Sequence, residues 1–586
     1  MTAPAGSGPL LLPAPDTVLL NLAHPDAEAA RSELARFAEL DTAPEGLHTY
    51  RLTDLGLWNA AAAGVTAERM IDTLRRWSAA PVPHAVEAAI TDTMARFGRV
   101  VIEGGAPPAG LGPDGRPDGP DSRRGGSGGP EVGDGGPGSL VVRFADRELA
   151  DVMLADDEVA RHLGPRLDLV RAVLDPLDRG ALKQTLLARR WPADDRAALS
   201  PGLPHPFRLD PDLKLRPYQE AAVEAWLPSG TGVIVLPCGA GKTVTGIATA
   251  AAVGSRTLIL TTGEAAVDQW RTELERFTDL DPDDIGVYSA RRREVRPITL
   301  TTYHLLATRR GGVFRHLDLL QGGDWGLVIY DEVHLLPSAV FQLTAGIQSR
   351  RRLGLTATLV REDGRQRDVF GLVGPKRYDV GWRDLELQGW LAPATCTEIR
   401  IPPTADERLA HASAPIRQRA QVAAAVGGKL DVVAELVERH RGEQVLIIGT
   451  YLDGLVAVAD RLGLPIVTGQ TPAAERLHRF EQLRTGEIDV LVVSKVGNTS
   501  IDLPEVAVAI QVSGTYGSRQ EEAQRLGRIV RPKRDGRQAH FYTLVGQDTV
   551  EVDHARRRQR FLAEQGYGYE IVDAAAPGVR SGPSGG

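Results

Sequence analysis

At 586 residues the chain is too long for a single hydrophobic core, and three or four domains are expected. Hydrophobic residues at 42% and charged residues at 25% describe a mainly globular protein, and a formal net charge of −8 excludes an overall basic field drawing it to nucleic acid. Two cysteines, Cys238 and Cys396, exclude a disulfide framework, a four-cysteine zinc site and an iron–sulfur cluster held within the chain. The opening MTAPAGSGPLLLPAP lacks the basic start of a secretory signal, and no apolar run reaches membrane-spanning length. The best run, GIATAAAVG at 246–254, reads as a buried helix, so a cytoplasmic protein is expected.

Residues 1–104 read as a helical domain. Val86, Ile90 and Met94 recur every fourth residue, and Met70, Ile71, Leu74 and Trp77 line a second face. The segment 105–138 is dense in Gly and Pro with almost no apolar content, which predicts a disordered linker. Residues 139–210 read as a small α+β domain, with LVVRF (140–144) a strand, helices near 147–162 and 180–190, and a break at Trp191-Pro192. From about 211, short β-branched runs alternate with helical ones. GVIVLP, TLILTT, ITLTTY, GLVIYDE and RRLGLTAT form one series, and QVLIIGT, LPIVTG, DVLVVSK, VAVAIQVSG and AHFYTLV a second. Nearly continuous apolar runs are strands covered on both faces, so two doubly wound parallel-sheet lobes are expected, at 211–385 and 386–573, before a frayed tail at 574–586. Ligands of such folds sit at the C-terminal strand ends.

The first run leads into Pro237-Cys238-Gly239-Ala240-Gly241-Lys242-Thr243 and then a helix. Glycines let the backbone wrap a phosphate, and the helix N-terminus adds positive potential. Lys242 can reach the β and γ phosphates of ATP, and the Thr243 hydroxyl can ligate Mg²⁺. The strict pattern wants glycine where Leu236 stands, yet the GAGKT core and the strand–loop–helix context outweigh that departure. GLVIYDE pushes Asp331 and Glu332 out at the tip of an apolar strand. Asp331 is placed to hold Mg²⁺ through water, and Glu332 to polarise the attacking water as general base.

At this point a resemblance emerges. Asp331-Glu332-Val333-His334 resembles the DExH box of superfamily two helicases, and further matches follow in that family's order: LRPYQ (215–219), Thr356-Ala357-Thr358, SKVGNTSIDLP (494–504) and QRLGRIVRP (524–532). DEVHLLP, RRLGLTATLVREDG, SKVGNTSIDLP, GSRQEEAQRLGRIVRP and RQRFLAEQGY are similar to the XPB helicases, a likeness covering roughly 212–573. The N-terminal part is similar to bacterial XPB-like proteins on less specific motifs, and 105–138 looks like an addition.

The resemblance implies two RecA-like lobes with an additional N-terminal α+β or helical region, and an ATP-dependent DNA helicase or translocase of 3′→5′ polarity acting in repair in a bacterial cytoplasm, at the nucleoid. It implies adenine reading by Arg216 and Gln219, nucleotide contacts at Gly497 and Asp502, and a sixth-motif set of Gln524, Arg528 and Arg531. Guanidinium forks suit phosphate oxygens, so Arg528 is the expected finger on the γ phosphate, with Arg531 its helper. DNA contacts are implied for Thr261, Thr262, Gln269, Trp270, Thr301 and Thr302 in the first lobe, and for Gly449, Thr450 and Thr499 in the second. Small hydroxyls and amides grip phosphates without reading sequence. Trp270 has two readings, a core aromatic or a base-stacking ring. Arg361-Glu362-Asp363 resembles a loop implicated in strand opening, the alternative being a solvated charged turn. Residues 404–428 are either a thumb-like insertion or a surface helix. The basic runs Arg291-Arg292-Arg293 and Arg350-Arg351-Arg352 are candidates, in part, for phosphate contact.

Two other readings remain: the motor of a restriction or remodelling complex, and a nonenzymatic scaffold. The first lacks a convincing nuclease pattern, and intact Lys242, Asp331, Glu332 and Arg528 weigh against the second. Expected partners are DNA, as duplex, fork or bubble without sequence preference, and a nuclease or repair protein.

Overall fold

The computed structural model describes residues 8–43, 46–104, 140–176, 178–197, 200–237, 239–310, 313–316, 319, 323–336, 350–357, 366–494, 506–514, 538–564 and 569–574. The chain divides into two compact units, Met1–Val235 with Thr243–Asp379, and Leu236–Lys242 with Val380–Gly586. The change of unit at 379/380 lies six residues before the lobe boundary expected from sequence.

Where sequence periodicity predicts helices alone, the first unit opens with an antiparallel sheet. Its strands β1 (Leu10–Ala14), β2 (Thr17–Asn21), β3 (Glu39–Thr42) and β4 (Leu47–Arg51) lie in the order β1-β2-β4-β3. Pro13 in β1 has no N–H to donate, which an edge strand tolerates. Helices α1 (Ala27–Leu34), α2 (Asp54–Ala62), α3 (Ala67–Trp77) and α4 (His84–Met94) complete the domain. Most of the expected stripes face inward: Met70, Ile71 and Leu74 of α3 and Val86 and Ile90 of α4 are buried, while Trp77 and Met94 at the helix ends are half-buried.

The second sheet corrects the expected boundary at 104. Strand β5 (Val100–Gly104) pairs antiparallel with β6 (Leu140–Phe144), Val100 opposite Phe144 and Gly104 opposite Leu140. With β7 (Leu163–Arg166), β8 (Arg171–Leu174) and β9 (Ala193–Asp195) they form the order β7-β8-β6-β5-β9. The Gly/Pro-rich segment, itself outside the described residues, therefore joins two neighbouring strands of one sheet and does not separate domains. Helices α5 (Arg147–Ala155), α6 (Asp157–Ala160) and α7 (Arg179–Ala188) fall where the sequence places helical runs.

The first lobe is a seven-stranded sheet of β10 (Thr231–Val235), β11 (Thr257–Thr261), β12 (Ile285–Val287), β13 (Ile298–Thr302), β16 (Leu327–Asp331), β17 (Arg351–Thr356) and β18 (Lys376–Asp379), with a small hairpin of β14 (Arg309–Arg310) and β15 (Val313–Phe314) beside it. The order is β12-β13-β11-β16-β17-β10-β18, and every pairing is parallel. Its helices include α8 (Pro217–Trp226), α9 (Lys242–Val253), α10 (Glu264–Phe277), α11 (Tyr303–Leu306) and α12 (Gln366–Leu372). Register aligns the strand ends: Val235 pairs with Thr356, Leu355 with Asp331, Tyr330 with Leu260, and Thr261 with Thr302. The C-terminal ends of β10, β17, β16, β11 and β13 thus form one continuous edge.

The two front domains are anchored to this lobe. Leu55 and Trp58 of α2, Leu187 of α7 and Phe370 of α12 share one apolar cluster. Asn59 Oδ1 accepts from the Lys376 amide at 2.9 Å, and Arg377 donates to the Ala62 carbonyl at 3.1 Å. Asp195 receives Arg179 at 2.6 Å and Lys183 at 3.0 Å. The wholly buried Arg352 of β17 acts on both Asp195 and Lys183 electrostatically. Burial removes Arg352 from the basic run that the sequence offered as a phosphate contact.

The second unit carries another all-parallel sheet of β19 (Ala394–Ile401), β20 (Val445–Gly449), β21 (Ile466–Val467), β22 (Val490–Ser494), β23 (Val508–Gln511), β24 (Ala539–Gly546) and β25 (Tyr569–Asp573). The order is β21-β22-β20-β23-β24-β19-β25. Within 404–428 lie α13 (Ala405–Ser413) and α14 (Arg419–Ala424), with Leu409 and Ile416 exposed. A buried ion pair braces the sheet. Lys429 Nζ meets both Glu551 oxygens at 2.7 and 2.8 Å and the Val512 carbonyl at 3.0 Å, and Glu551 also accepts the Gly546 amide at 2.8 Å.

Candidate functional site

Strand β10 stops at Val235, and the chain turns through Leu236–Gly241 into α9. Gly239 and Gly241 adopt φ of +83° and +81°, left-handed values that a side chain disfavours. Ala240 between them is buried, and its amide donates to the Pro237 carbonyl at 3.1 Å. Leu236, the departure from the strict pattern, is wholly buried and serves packing. Left-handed glycines leading into a twelve-residue helix give the backbone of an anion-binding nest. Lys242 and Thr243 are the first two residues of that helix and are half-buried. Cys238 lies outside the described residues.

Asp331 is the last residue of β16, and Glu332 follows at φ +50° and ψ +53°. A non-glycine residue in that region stores strain of the kind found at functional sites. Buried Val333 anchors the turn from below. His334 Nδ1 lies 2.7 Å from Thr356 Oγ1 and 3.5 Å from Glu332 Oε2, tying the acidic turn to the end of β17, where Thr356-Ala357 stands.

Two aromatic side chains hold Asp331. The Trp270 indole Nε1 donates to Asp331 Oδ2 at 2.9 Å, and the Tyr303 hydroxyl donates to the Asp331 carbonyl at 2.8 Å. Burial, joined by the Asp331 charge, holds the Tyr303 phenol well above its ordinary pKa, so it stays a donor. Sequence reasoning missed Tyr303 and His334 as partners of this turn. Their separation from Asp331 and Thr356 along the chain leaves no local pattern; only the strand register brings them together.

At the expected adenine-reading segment, Gln219 is buried and its Oε1 accepts the Arg216 amide at 2.9 Å, fixing the orientation of the side-chain amide at the start of α8. Arg216 donates to the Tyr218 hydroxyl at 2.9 Å.

The residues expected to touch DNA separate by exposure. Thr262 and Gln269 are exposed and Thr302 half-buried, near the edge that carries the acidic turn. Thr261 and Thr301 are fully buried, the Thr261 hydroxyl donating to the Gly263 carbonyl at 3.2 Å, so their side chains do not reach a phosphate. Trp270 is 1% exposed and cannot stack on a base; of its two readings the core aromatic is the one the geometry gives. In the second unit, Gly449 makes room for Leu455, since an added Cβ would lie 2.8 Å from Leu455 Cδ2. The Thr450 amide donates to Ser513 Oγ at 3.0 Å, and its side chain is half-buried. Thr358, Arg361, Glu362, Asp363, Gly497, Thr499, Asp502, Gln524, Arg528 and Arg531 lie outside the described residues.

Among the described residues no helix is long and apolar enough to cross a membrane, and no group of three or more His, Cys, Asp or Glu is gathered to hold a metal.

Three family profiles match this chain: ERCC3/RAD25/XPB C-terminal helicase over residues 385–581, Type III restriction enzyme, res subunit, over 212–361, and Helicase conserved C-terminal domain over 10–106. A Kineococcus radiotolerans protein named DNA 3′-5′ helicase XPB is 49% identical over 97% of this chain and 97% of its own length. The Mycobacterium tuberculosis protein of the same name is 48% identical over 97% of this chain and 98% of its own. The Schizosaccharomyces pombe General transcription and DNA repair factor IIH helicase/translocase subunit XPB is 31% identical over 95% of this chain and 74% of its own. Likeness at this level, running from the front domains through both lobes, shows that the chain belongs to the XPB family of helicases.

Proposed function

We propose that the chain is an ATP-dependent DNA helicase or translocase that hydrolyses ATP to open or move along duplex DNA with 3′→5′ polarity, in DNA repair. The observation that carries this reading is the shared sheet edge: a phosphate-wrapping loop at β10 and a strained acidic turn at β16, on strands that both pair with β17.

ATP is the nucleotide that the family implies. Lys242 neutralises the terminal phosphates, the loop amides cradle them, and Arg216 and Gln219 face the adenine. Glu332, raised on its left-handed turn, takes the proton of the attacking water. The hard oxygen donors Thr243 Oγ1 and the Asp331 carboxylate fit a Mg²⁺ ion that arrives on the nucleotide phosphates. When bound, such an ion neutralises charge on the β and γ oxygens. Gly497, Asp502, Gln524, Arg528 and Arg531 keep their proposed nucleotide roles from resemblance alone, with Arg528 the phosphate-stabilising finger, and Cys238 keeps its proposed place as a backbone donor of the loop from the sequence pattern.

DNA is proposed to lie along Thr262, Gln269 and Thr302 in the first lobe and Thr450 and Thr499 in the second, with Arg361-Glu362-Asp363 at the point of strand opening. Contacts of this kind grip phosphates in any sequence, as a translocating motor requires. A repair protein or nuclease is the proposed partner class, and the bacterial nucleoid the proposed place of work. The restriction-enzyme profile covers 212–361 alone, whereas the likeness to XPB helicases also spans the second lobe and the front domains, which favours a repair helicase over a restriction motor. Strand displacement on 3′-overhang, 5′-overhang and forked duplexes tests the reading. ATP-dependent opening of the 3′-overhang and fork is expected; opening of the 5′-overhang alone overturns the polarity, and no ATP-dependent opening or translocation on any of them overturns the motor.

A further inference from the structure

The Trp270 ring sits where three motor elements meet. Its N–H reaches Asp331 Oδ2 at 2.9 Å, and its far edge lies against Gly246 of α9, the helix that begins with Lys242 and Thr243. A Cβ built on Gly246 would lie 2.5 Å from Trp270 Cη2 and 2.9 Å from Leu355 Cδ1 of β17. Glycine in a helix interior is disfavoured relative to alanine. Its presence in the second turn of α9 therefore has a packing reason: it leaves the space that an indole, with its long ring, occupies.

Burial sharpens the hydrogen bond. Trp270 is 1% exposed, so water does not compete for its N–H, and an indole N–H left without an acceptor there would be costly. The carboxylate is thereby held through Oδ2 by the indole, and the backbone carbonyl of the same residue is held by the Tyr303 hydroxyl. Trp270 also belongs to α10, which begins two residues after exposed Thr262 and carries exposed Gln269 next to the tryptophan.

We propose that Trp270 is a positioning residue for nucleotide hydrolysis: its indole N–H fixes the rotamer of the Asp331 carboxylate, and Gly246 supplies the cleft that makes this contact possible. This rests on the reading of Asp331 as the carboxylate that faces Mg²⁺ and the nucleotide. Groups that orient a metal-facing carboxylate in this way typically change metal affinity or activity about 10–100-fold when removed.

The test uses the full chain with Trp270→Phe, Gly246→Ala and the double variant, and Lys242→Ala as a control on the underlying reading. Trp270→Phe keeps an aromatic ring in the cleft and removes the N–H together with the far edge of the indole that lies against Gly246. The expected result is a DNA-stimulated ATPase kcat lower by about tenfold or more, KM for ATP within about twofold, and a several-fold higher Mg²⁺ concentration for half-maximal rate. Binding of a fluorescent ADP analogue is measured without turnover. Its affinity in EDTA stays unchanged, while the strengthening produced by added Mg²⁺ is reduced. Gly246→Ala displaces the long indole and reproduces these effects, yet adds little to Trp270→Phe, whose shorter ring leaves room, so the two substitutions are non-additive. Wild-type kcat and Mg²⁺ dependence in Trp270→Phe, or additive effects in the double variant, overturn the proposal. Should Trp270→Phe fail to fold, Gly246→Ala decides by the same Mg²⁺-dependent binding. If Lys242→Ala retains full turnover, the underlying reading of the site fails instead.

Discussion

Gly239 and Gly241 each occupy a backbone region where an L side chain meets its own carbonyl, at a penalty of about 1–2 kcal/mol per residue. Gly241→Ala is expected to leave the melting temperature within a few degrees of the native value while weakening nucleotide binding at least tenfold, because relief of that strain re-aims the amides; a fluorescent-nucleotide titration checks it. Glu332→Gln keeps the size and the left-handed turn but removes the proton acceptor. Its expected signature is a kcat lower by about 10²–10⁴ with ATP binding retained, read by single-turnover hydrolysis beside equilibrium binding. At Lys183, burial pushes the ammonium pKa down to about 8, with Arg352 and Arg179 adding repulsion and Asp195 opposing. The folded value lies below the unfolded one, so between about pH 8 and pH 10 the unfolded chain holds more protons and this residue's contribution to stability rises with pH. The difference in denaturation midpoint between the native chain and Lys183→Met should shift in favour of the native chain across that window; a constant difference contradicts the assignment.

The elements show which features leave a mark on sequence. Strands β10, β11, β13, β16, β20 and β22 are covered on both faces, so they read as apolar runs and were legible at once. Strands β12, β18 and β25 lie at or next to sheet edges, are short or polar, and carry no such run, and β19, ATCTEIRI, hides the buried Glu398 in mid-strand. The phosphate loop and acidic turn were legible because their geometry is local, whereas the pairing of Trp270 with Asp331 depends on how α10 lies on the sheet. The front sheet escaped because Pro13 interrupts β1 and the neighbouring helices dominate the periodicity. The β5–β6 pairing escaped because the Gly/Pro-rich insertion separates its strands. That pairing has a measurable consequence. Replacing 105–139 with a short hairpin turn shortens the loop by about three halvings, which should stabilise the folded state by roughly 2 kcal/mol of closure entropy without loss of ATPase activity. Destabilisation by several degrees in a melting experiment would contradict the pairing.

In the first unit the front domains and the motor lobe share buried groups. Three cations, Arg179, Lys183 and Arg352, surround Asp195, and burial of Asp195 is more than offset by them, so its carboxyl stays far below the usual carboxylate range. Asp195→Asn leaves these buried charges without their counter-ion and is expected to lower stability by about 3–5 kcal/mol in a denaturant titration, against little change for Asp92→Asn on the exposed face of α4. A chain started near residue 205 loses Leu55, Trp58 and Leu187 and uncovers Phe370 and Arg352, so the isolated lobes should be less stable and more prone to aggregation than the intact chain. Across the whole molecule, the family's activity is attributed to a nucleotide held by the loop that ends in Lys242. The most direct test is steady-state ATP hydrolysis by the full chain and by Lys242→Ala, each with and without duplex DNA. Turnover that rises with DNA in the native chain and falls at least a hundredfold in Lys242→Ala, with the fold intact by melting, is the expected result; equal turnover in the two proteins would contradict it.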